Sequence, residues 1–435
     1  MERERIAGAL KRVVKRILIS LIMMSAGAVE SAGPPGYNYD EAAVPRYELP
    51  DPLRTEGGEV VKDAEMWRGV RRPELLALVE REMFGKAPER PALWSKVLET
   101  PAEALGGKAV RHRVFVSFTG KAEGPGMEML VYLPVGAKGP VPVVLGLNFW
   151  GNHTVTDDPG VPVTANWVPN DVKAGVRDHR ATEAGRGSQA GRWQVPYAVG
   201  RGYGVATVYY GDIDPDEDDG WKNGVHALHG GAVGRDGASW GSIAAWTWGL
   251  RLGLDALERM PGVDGKRVIC QGHSRLGKTA LWAGAVDERF AMVISNESGA
   301  GGAALNKRIF GETVGRLNTS FPHWFCGNFR KYSENEGAMP FDAHSLIALT
   351  APRPLLITSA TEDLWADPKG EFLGGLHASP VWRLLGAEGL GLSEMPEPMR
   401  LVGGRVGYFL RTGPHDVTQE DWKAYLDFAD RVLKP

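Results

Sequence analysis

The chain has 435 residues, with 50 Lys and Arg against 53 Asp and Glu and a formal net charge of −3. At 43% hydrophobic and 24% charged it is globular in composition, and the lack of a basic excess argues against a nucleic-acid partner. Its 57 glycines point to tight turns and long loops rather than a helical bundle, and two cysteines, Cys270 and Cys326, exclude a disulfide-dense scaffold and a four-thiolate zinc site.

The start of the chain stands apart. Arg3, Arg5, Lys11, Arg12, Lys15 and Arg16 precede the apolar run Ile17–Met24, and small residues at Ala26–Ala28 and Ser31–Ala32 offer cleavage points. This is the order of a secretory signal peptide over residues 1–32, and the apolar run is too short to span a bilayer. The protein is therefore expected to be exported, to the periplasm or the medium, with no membrane segment left once the signal is removed. Residues 33–60, rich in Pro, Gly and acids, read as an extended arm. The spacing of Leu75, Leu76, Leu78, Val79 and Met83 predicts a helix over 72–84. Residues 33–109 are expected to pack on a catalytic domain over 110–435 that carries an insertion at 152–193.

From residue 110 the texture turns β-like. Arg113–Phe118 alternates, and Met127–Leu133 follows a Gly-Pro-Gly turn. Val141–Leu147 and Gly204–Tyr210 are nearly continuous apolar runs, as buried parallel strands require. Trp240–Met260 predicts a helix, Lys266–Gln271 a strand and Ala280–Val286 a helix behind it. Phe290–Ser295 and Pro354–Ser359 complete the strands, and Thr418–Leu433 predicts a closing helix. Alternating strands and helices imply a mostly parallel α/β sheet in a three-layer sandwich, with long loop insertions.

Between a predicted strand and a predicted helix stands Gly272-His-Ser-Arg-Leu-Gly-Lys-Thr279. The string satisfies the phosphate-cradling G-x-x-x-x-G-K-[ST] pattern, and it also reads as a nucleophile elbow with Ser274 at the apex of a sharp turn. Four strands precede it, which puts it mid-sheet, and an exported protein meets little nucleotide; both favour the elbow. An elbow serine needs a base and an orienting acid, because a free hydroxyl is a poor nucleophile. His415, in a Gly-Pro loop before the last helix, is placed as the base. Two carboxylates compete as the acid: Glu297 after the strand ending near Ser295, and Asp363 after the strand ending near Ser359.

At this point the residues carry a family. Gly272–Lys278 resembles the G-x-S-R-x-G-K elbow of bacterial glucuronoyl esterases, carbohydrate esterases of the α/β-hydrolase superfamily that act on glucuronoxylan. The likeness extends to Val44–Pro52, Gly146–His153, Tyr210–Asp216, Asn296–Gly302, Phe321–Asn328 and His415–Thr418. Fungal members bridge a cysteine before the nucleophile to one beside the catalytic histidine; here His273 and Asp416 stand there, so that bond cannot form, and both cysteines are expected to be free.

The resemblance implies Ser274 as nucleophile, His415 as base, Glu297 as the family's acid and Asp363 as a second carboxylate. It implies Arg275 as oxyanion support, Lys278 and Glu312 as ligands of the uronate hydroxyls, and Trp365 as a cover over the sugar. The implied substrate is the ester between (4-O-methyl-)glucuronic acid of glucuronoxylan and a lignin alcohol. It is cleaved through an acyl-enzyme by a monomer with no cofactor or metal. Another exported hydrolase, such as an acetylxylan esterase or a peptidase, and a non-catalytic carbohydrate-binding protein are the rival readings. The Arg275/Lys278 pair and the intact Ser274, His415 and Glu297 argue against them.

Overall fold

A computed structural model of the chain describes residues 33–433, so the expected signal peptide lies outside the described residues. The strands, in chain order, are β1 (Ser95–Val97), β2 (Ala102–Ala104), β3 (Ala109–Ser117), β4 (Gly126–Pro134), β5 (Val141–Asn148), β6 (Val176–Arg177), β7 (Arg180–Ala181), β8 (Gly204–Tyr209), β9 (Val263–His273), β10 (Met292–Asn296), β11 (Leu355–Ala360), β12 (Val402–Gly403) and β13 (Val406–Arg411). All but β6 and β7, which pair with each other, join one 11-stranded sheet of order β1-β3-β4-β8-β5-β9-β10-β11-β13-β12, with β2 beside β3. The run from β8 through β5, β9, β10 and β11 to β13 is parallel, and the edges are antiparallel. This is the α/β-hydrolase arrangement expected from the sequence.

The three layers follow from the strand period of two. Val143, Leu145, Cys270, Val293 and Ile357 join a core cluster with Trp246, Leu250, Leu281 and Trp382, from the helices Ser242–Leu257, Arg275–Val286 and Pro368–Leu384. Their neighbours Val144, Ile269, Ile294 and Leu356 point the other way, into a cluster with Trp193, Ala198, Trp422 and Tyr425, the last two on the helix Gln419–Val432. Helical turns run from Ala64 to Phe84 and enclose the predicted 72–84; Trp67, Leu75, Val79 and Phe84 are fully buried there against the first cluster.

Several elements escaped the sequence reading, among them one core strand and one core helix. The strand β13 follows Leu401-Val-Gly-Gly-Arg405, which reads as a turn. The helix Pro368–Leu384 contains Gly370, Gly374, Gly375 and Pro380, which dilute any helical pattern. Packing explains the glycine at 374: a Cβ there would lie 2.2 Å from the carbonyl oxygen of Ala303. Within the insertion, Trp167 stacks on His179 (4.8 Å, 12°) and its carbonyl accepts the Tyr209 hydroxyl at 2.7 Å, tying a long loop to β8. No helix of the described residues is long and apolar enough to cross a membrane.

Candidate active site

The end of β9 and the start of the helix Arg275–Val286 form a turn with Ser274 at φ +58 and ψ −128, a strained conformation for a residue with a side chain. The bend requires glycine at 272, where a Cβ would stand 1.8 Å from the Leu276 carbonyl oxygen. The Ser274 N–H donates to the Asn296 carbonyl at 2.9 Å, locking the apex to the end of β10. A phosphate-binding loop would leave its lysine free for the ligand. Here Lys278 is buried, donates to the Ser298 carbonyl at 2.6 Å and pairs with Glu312 at 3.2 Å. The turn is an elbow.

His415 sits directly across this turn: its ring lies 4.4 Å, centroid to centroid, from that of His273, the residue preceding Ser274. Both candidate acids reach the same nitrogen. Asp363 Oδ2 is 2.6 Å and Glu297 Oε2 3.0 Å from His415 Nδ1. The adjacent parallel strands β10 and β11 deliver them, Glu297 directly after β10 at φ +45 and Asp363 three residues beyond β11. The His415 side chain is 39% exposed while those of Glu297 and Asp363 are 0% and 3%, so the nitrogen bonded to the acids is buried and the opposite edge of the ring is open. Burial pushes the Glu297 carboxyl up. For His415 burial opposes the charged ring, but the two carboxylates outweigh it and raise the imidazole above its ordinary 6.5.

Glu297 is held by more than the histidine. Arg411 Nη2 donates to its Oε1 at 2.9 Å and the Asp416 N–H to its Oε2 at 2.9 Å; Arg411 also pairs with Asp421 at 2.8 Å. Beneath the same loop the fully buried Glu371 accepts from the N–H groups of Ser298 (2.7 Å) and Gly299 (3.0 Å) and from the Ser359 hydroxyl (2.6 Å). It thereby clamps the segments that carry both acids. Neither Arg411 nor Glu371 had been singled out in the sequence, since a lone charged residue in a strand or helix carries no signal.

Arg275 lies over the aromatic rings of Trp324 (4.9 Å), Phe149 (5.5 Å) and Phe321 (5.8 Å), and its Nη1 is bonded to Asp216. Asp216 also accepts from His323 Nε2 (2.8 Å), Trp324 Nε1 (2.7 Å) and the Tyr210 hydroxyl (3.2 Å). Burial disfavours its charge, yet Arg275 and these donors hold the carboxyl well below the usual carboxylate range. The buried Arg275 Nε has no hydrogen-bond partner among the described residues. Asp216 and Trp324 are site residues that the sequence reading did not name individually, although the segments ending in Asp216 and starting at Phe321 carried the resemblance.

Glu312 donates its N–H to the Trp365 carbonyl at 2.9 Å, so Lys278, Glu312 and Trp365 form one wall beside the elbow. On the other side the insertion supplies Gln189, Arg192 and Trp193 to a small recess lined also by Trp150, Gln271 and His273. Arg192 pairs with Asp416 at 2.5 Å. Cys270 and Cys326 are both free and buried, as expected. His273, Glu297 and His415 offer ligand atoms within 4.8 Å of one another, as a metal site does. Several of these atoms are already engaged: His273 Nδ1 with Asn296 Oδ1 at 2.5 Å, both Glu297 oxygens with Arg411, Asp416 and His415, and His415 Nδ1 with the acids.

A family model described as glucuronyl esterase of fungi matches residues 203–386. A carbohydrate esterase from an unknown prokaryotic organism is 51% identical over 408 residues, which cover 92% of this chain and 93% of that protein. The solved structure of a promiscuous esterase from a marine bacterial metagenome superposes with a TM-score of 0.86 at 50% identity, covering 91% of this chain and 100% of that one. The glucuronoyl esterase from Solibacter usitatus superposes with a TM-score of 0.85 at 48% identity, over 91% of this chain and 100% of that one. An elbow serine, a histidine ring packed against the residue before it and two buried carboxylates on that histidine, in a chain this similar to such enzymes throughout, place the protein in the glucuronoyl esterase family of carbohydrate esterases.

Proposed function

We propose that the exported protein hydrolyses the ester joining the carboxyl of (4-O-methyl-)glucuronic acid in glucuronoxylan to a lignin alcohol. The observation that carries this reading is the elbow standing beside two ion pairs, Arg275–Asp216 and Lys278–Glu312. Ser274 and His415 supply the means of acyl transfer, and Arg275 and the Lys278–Glu312 pair stand one residue and one helical turn past the nucleophile. In the first step His415 Nε2 takes the Ser274 proton as Oγ attacks the ester carbonyl, while the acids at Nδ1 stabilise the imidazolium. Negative charge then gathers on the former carbonyl oxygen. The Ser274 N–H is already given to Asn296, so the donors left for that oxygen are the backbone N–H at the helix start and the part-exposed guanidinium of Arg275. His415 next protonates the leaving alcohol, and water, activated by the same histidine, releases the uronic acid. The basic residues followed by Ile17–Met24 support export.

The test is a substrate set: a benzyl glucuronate ester, an acetylated xylan and an aryl acetate. Benzyl glucuronate should show the highest kcat/KM, and Ser274→Ala should abolish its turnover, by roughly 10⁴-fold or more, while the circular dichroism melt stays cooperative. A higher kcat/KM on acetylated xylan would sink the substrate assignment, and retained turnover in Ser274→Ala would sink the mechanism.

A further inference from the structure

The N-terminal arm ends up beside the site. The Asn38 carbonyl accepts the Gly311 N–H at 2.8 Å, immediately before Glu312, and Glu41 pairs with Arg308 at 2.5 Å and with Lys369 at 2.7 Å. Arg308 in turn pairs with Asp367 at 2.8 Å, two residues past Trp365. The arm, the turn carrying Glu312 and the turn carrying Trp365 are thus one fastened unit.

Tyr37 is the arm residue that this fastening does not need. Its neighbour Tyr39 behaves as an anchor, donating its hydroxyl to the Pro34 carbonyl at 3.0 Å and packing on Phe310 at 6.1 Å. The Tyr37 ring instead stands at 86° to Trp365 with centroids 4.9 Å apart, remains half-buried, and carries a hydroxyl without a hydrogen bond among the described residues. Two half-buried rings set edge to face leave apolar surface, with the Tyr37 hydroxyl as a polar tip, next to the wall that carries Glu312. That is the surface a pyranose ring fits, with its C–H face on an aromatic and its hydroxyls toward water.

We propose that Tyr37, with Trp365, forms a subsite for a pyranose ring of the polysaccharide that carries the uronate. The proposal rests on the functional reading above and extends it outward from the uronate-side wall. The contacts run in order from Lys278 to Glu312 (3.2 Å), from Glu312 to Trp365 (2.9 Å) and from Trp365 to Tyr37 (4.9 Å), so Tyr37 lies beyond the residues assigned to the uronate ring. A substituent continuing past that ring on the acyl side of the ester is the sugar to which the uronate is attached. The leaving alcohol is protonated by His415 in the mechanism above and departs on that side.

Two esters with the same leaving alcohol test it: benzyl glucuronate, and the benzyl ester of a xylo-oligosaccharide bearing a glucuronic acid branch. In Tyr37→Ala the ratio of kcat/KM, oligosaccharide over monosaccharide, should fall about fivefold or more, the size of one aromatic contact, and Tyr37→Phe should keep the wild-type ratio. An unchanged ratio in Tyr37→Ala overturns the subsite, and so does an equal loss on both esters, which marks a residue that only props up the wall. If the wild type hydrolyses both esters and the ratio does not respond, the Tyr37 assignment alone fails. A wild type that cleaves neither ester overturns the functional reading and the subsite with it.

Discussion

Removing the two acids one at a time and then together probes the centre of the site. His415 Nδ1 is approached by Asp363 at 2.6 Å and Glu297 at 3.0 Å, so either carboxylate alone can fix the ring and meet the charge it gains. A hydrogen bond to a charged group contributes about 1.5–3 kcal/mol, which is roughly 10- to 100-fold in rate if it is lost only in the transition state. Asp363→Ala should fall at the low end, because Glu297 remains held in place by Arg411 and the Asp416 N–H. Glu297→Ala should reach the high end. It also strips Arg411 of one partner and the Asp416 N–H of its acceptor, costing about 1–3 kcal/mol of stability. With both gone nothing holds the imidazole tautomer, and a loss of roughly 10⁴ is expected, more than the product of about 10³ from the two singles. The assay is kcat/KM on benzyl glucuronate for the three variants, with thermal melts to separate folding from chemistry. Strict additivity would refute mutual backup, and an unaffected Glu297→Ala would show that Asp363 is the working acid.

Arg275→Ala should lower kcat by roughly 10²–10³ with little change in KM, because the oxyanion exists only after attack; a defect confined to KM would make Arg275 a substrate ligand instead. A pH profile checks the histidine. The two acids favour charged His415 in the folded state, so its folded value lies above 6.5, and the stabilisation is complete below 6.5 and fades as pH rises through the raised value. Attack needs the neutral ring, so kcat/KM should still be climbing above pH 6.5, and Asp363→Asn should shift that limb to lower pH. A wild-type limb centred below 6.5 would contradict the arrangement at Nδ1.

Much of the sheet was readable because its central strands are buried on both faces and so appear as continuous apolar runs: Val141–Leu147 was expected against an observed Val141–Asn148, and Gly204–Tyr210 against Gly204–Tyr209. The strand β13 and the helix Pro368–Leu384 were not, because their glycines and proline are tolerated through contacts from other parts of the chain, such as Ala303 behind Gly374. The elbow was visible for a local reason: glycine, serine and glycine within six positions, where backbone crowding forbids a Cβ at Gly272. The carboxylate that fixes Arg275 was not visible, since Asp216 lies in the loop after β8 and Arg275 directly after β9, two strands that meet only through β5 between them. Sequence order likewise separates Glu297 from Asp363 by a long excursion, while β10 and β11 lie side by side, and this is why choosing between them from position in the chain had no physical basis.

The insertion has a consequence for anyone rebuilding this scaffold. Its last residues are stitched at two points: Arg192 pairs with Asp416, the neighbour of His415, and the Arg192 carbonyl accepts Trp422 Nε1 at 2.8 Å from the closing helix. A loop of different length exchanged from a relative would have to bring both stitches with it, or be matched to a recipient that keeps Asp416 and Trp422. Modularity here is therefore limited at the loop's exit as well as at Trp167, and a chimera should be designed backward from Arg192 with the Trp167–Tyr209 contact kept.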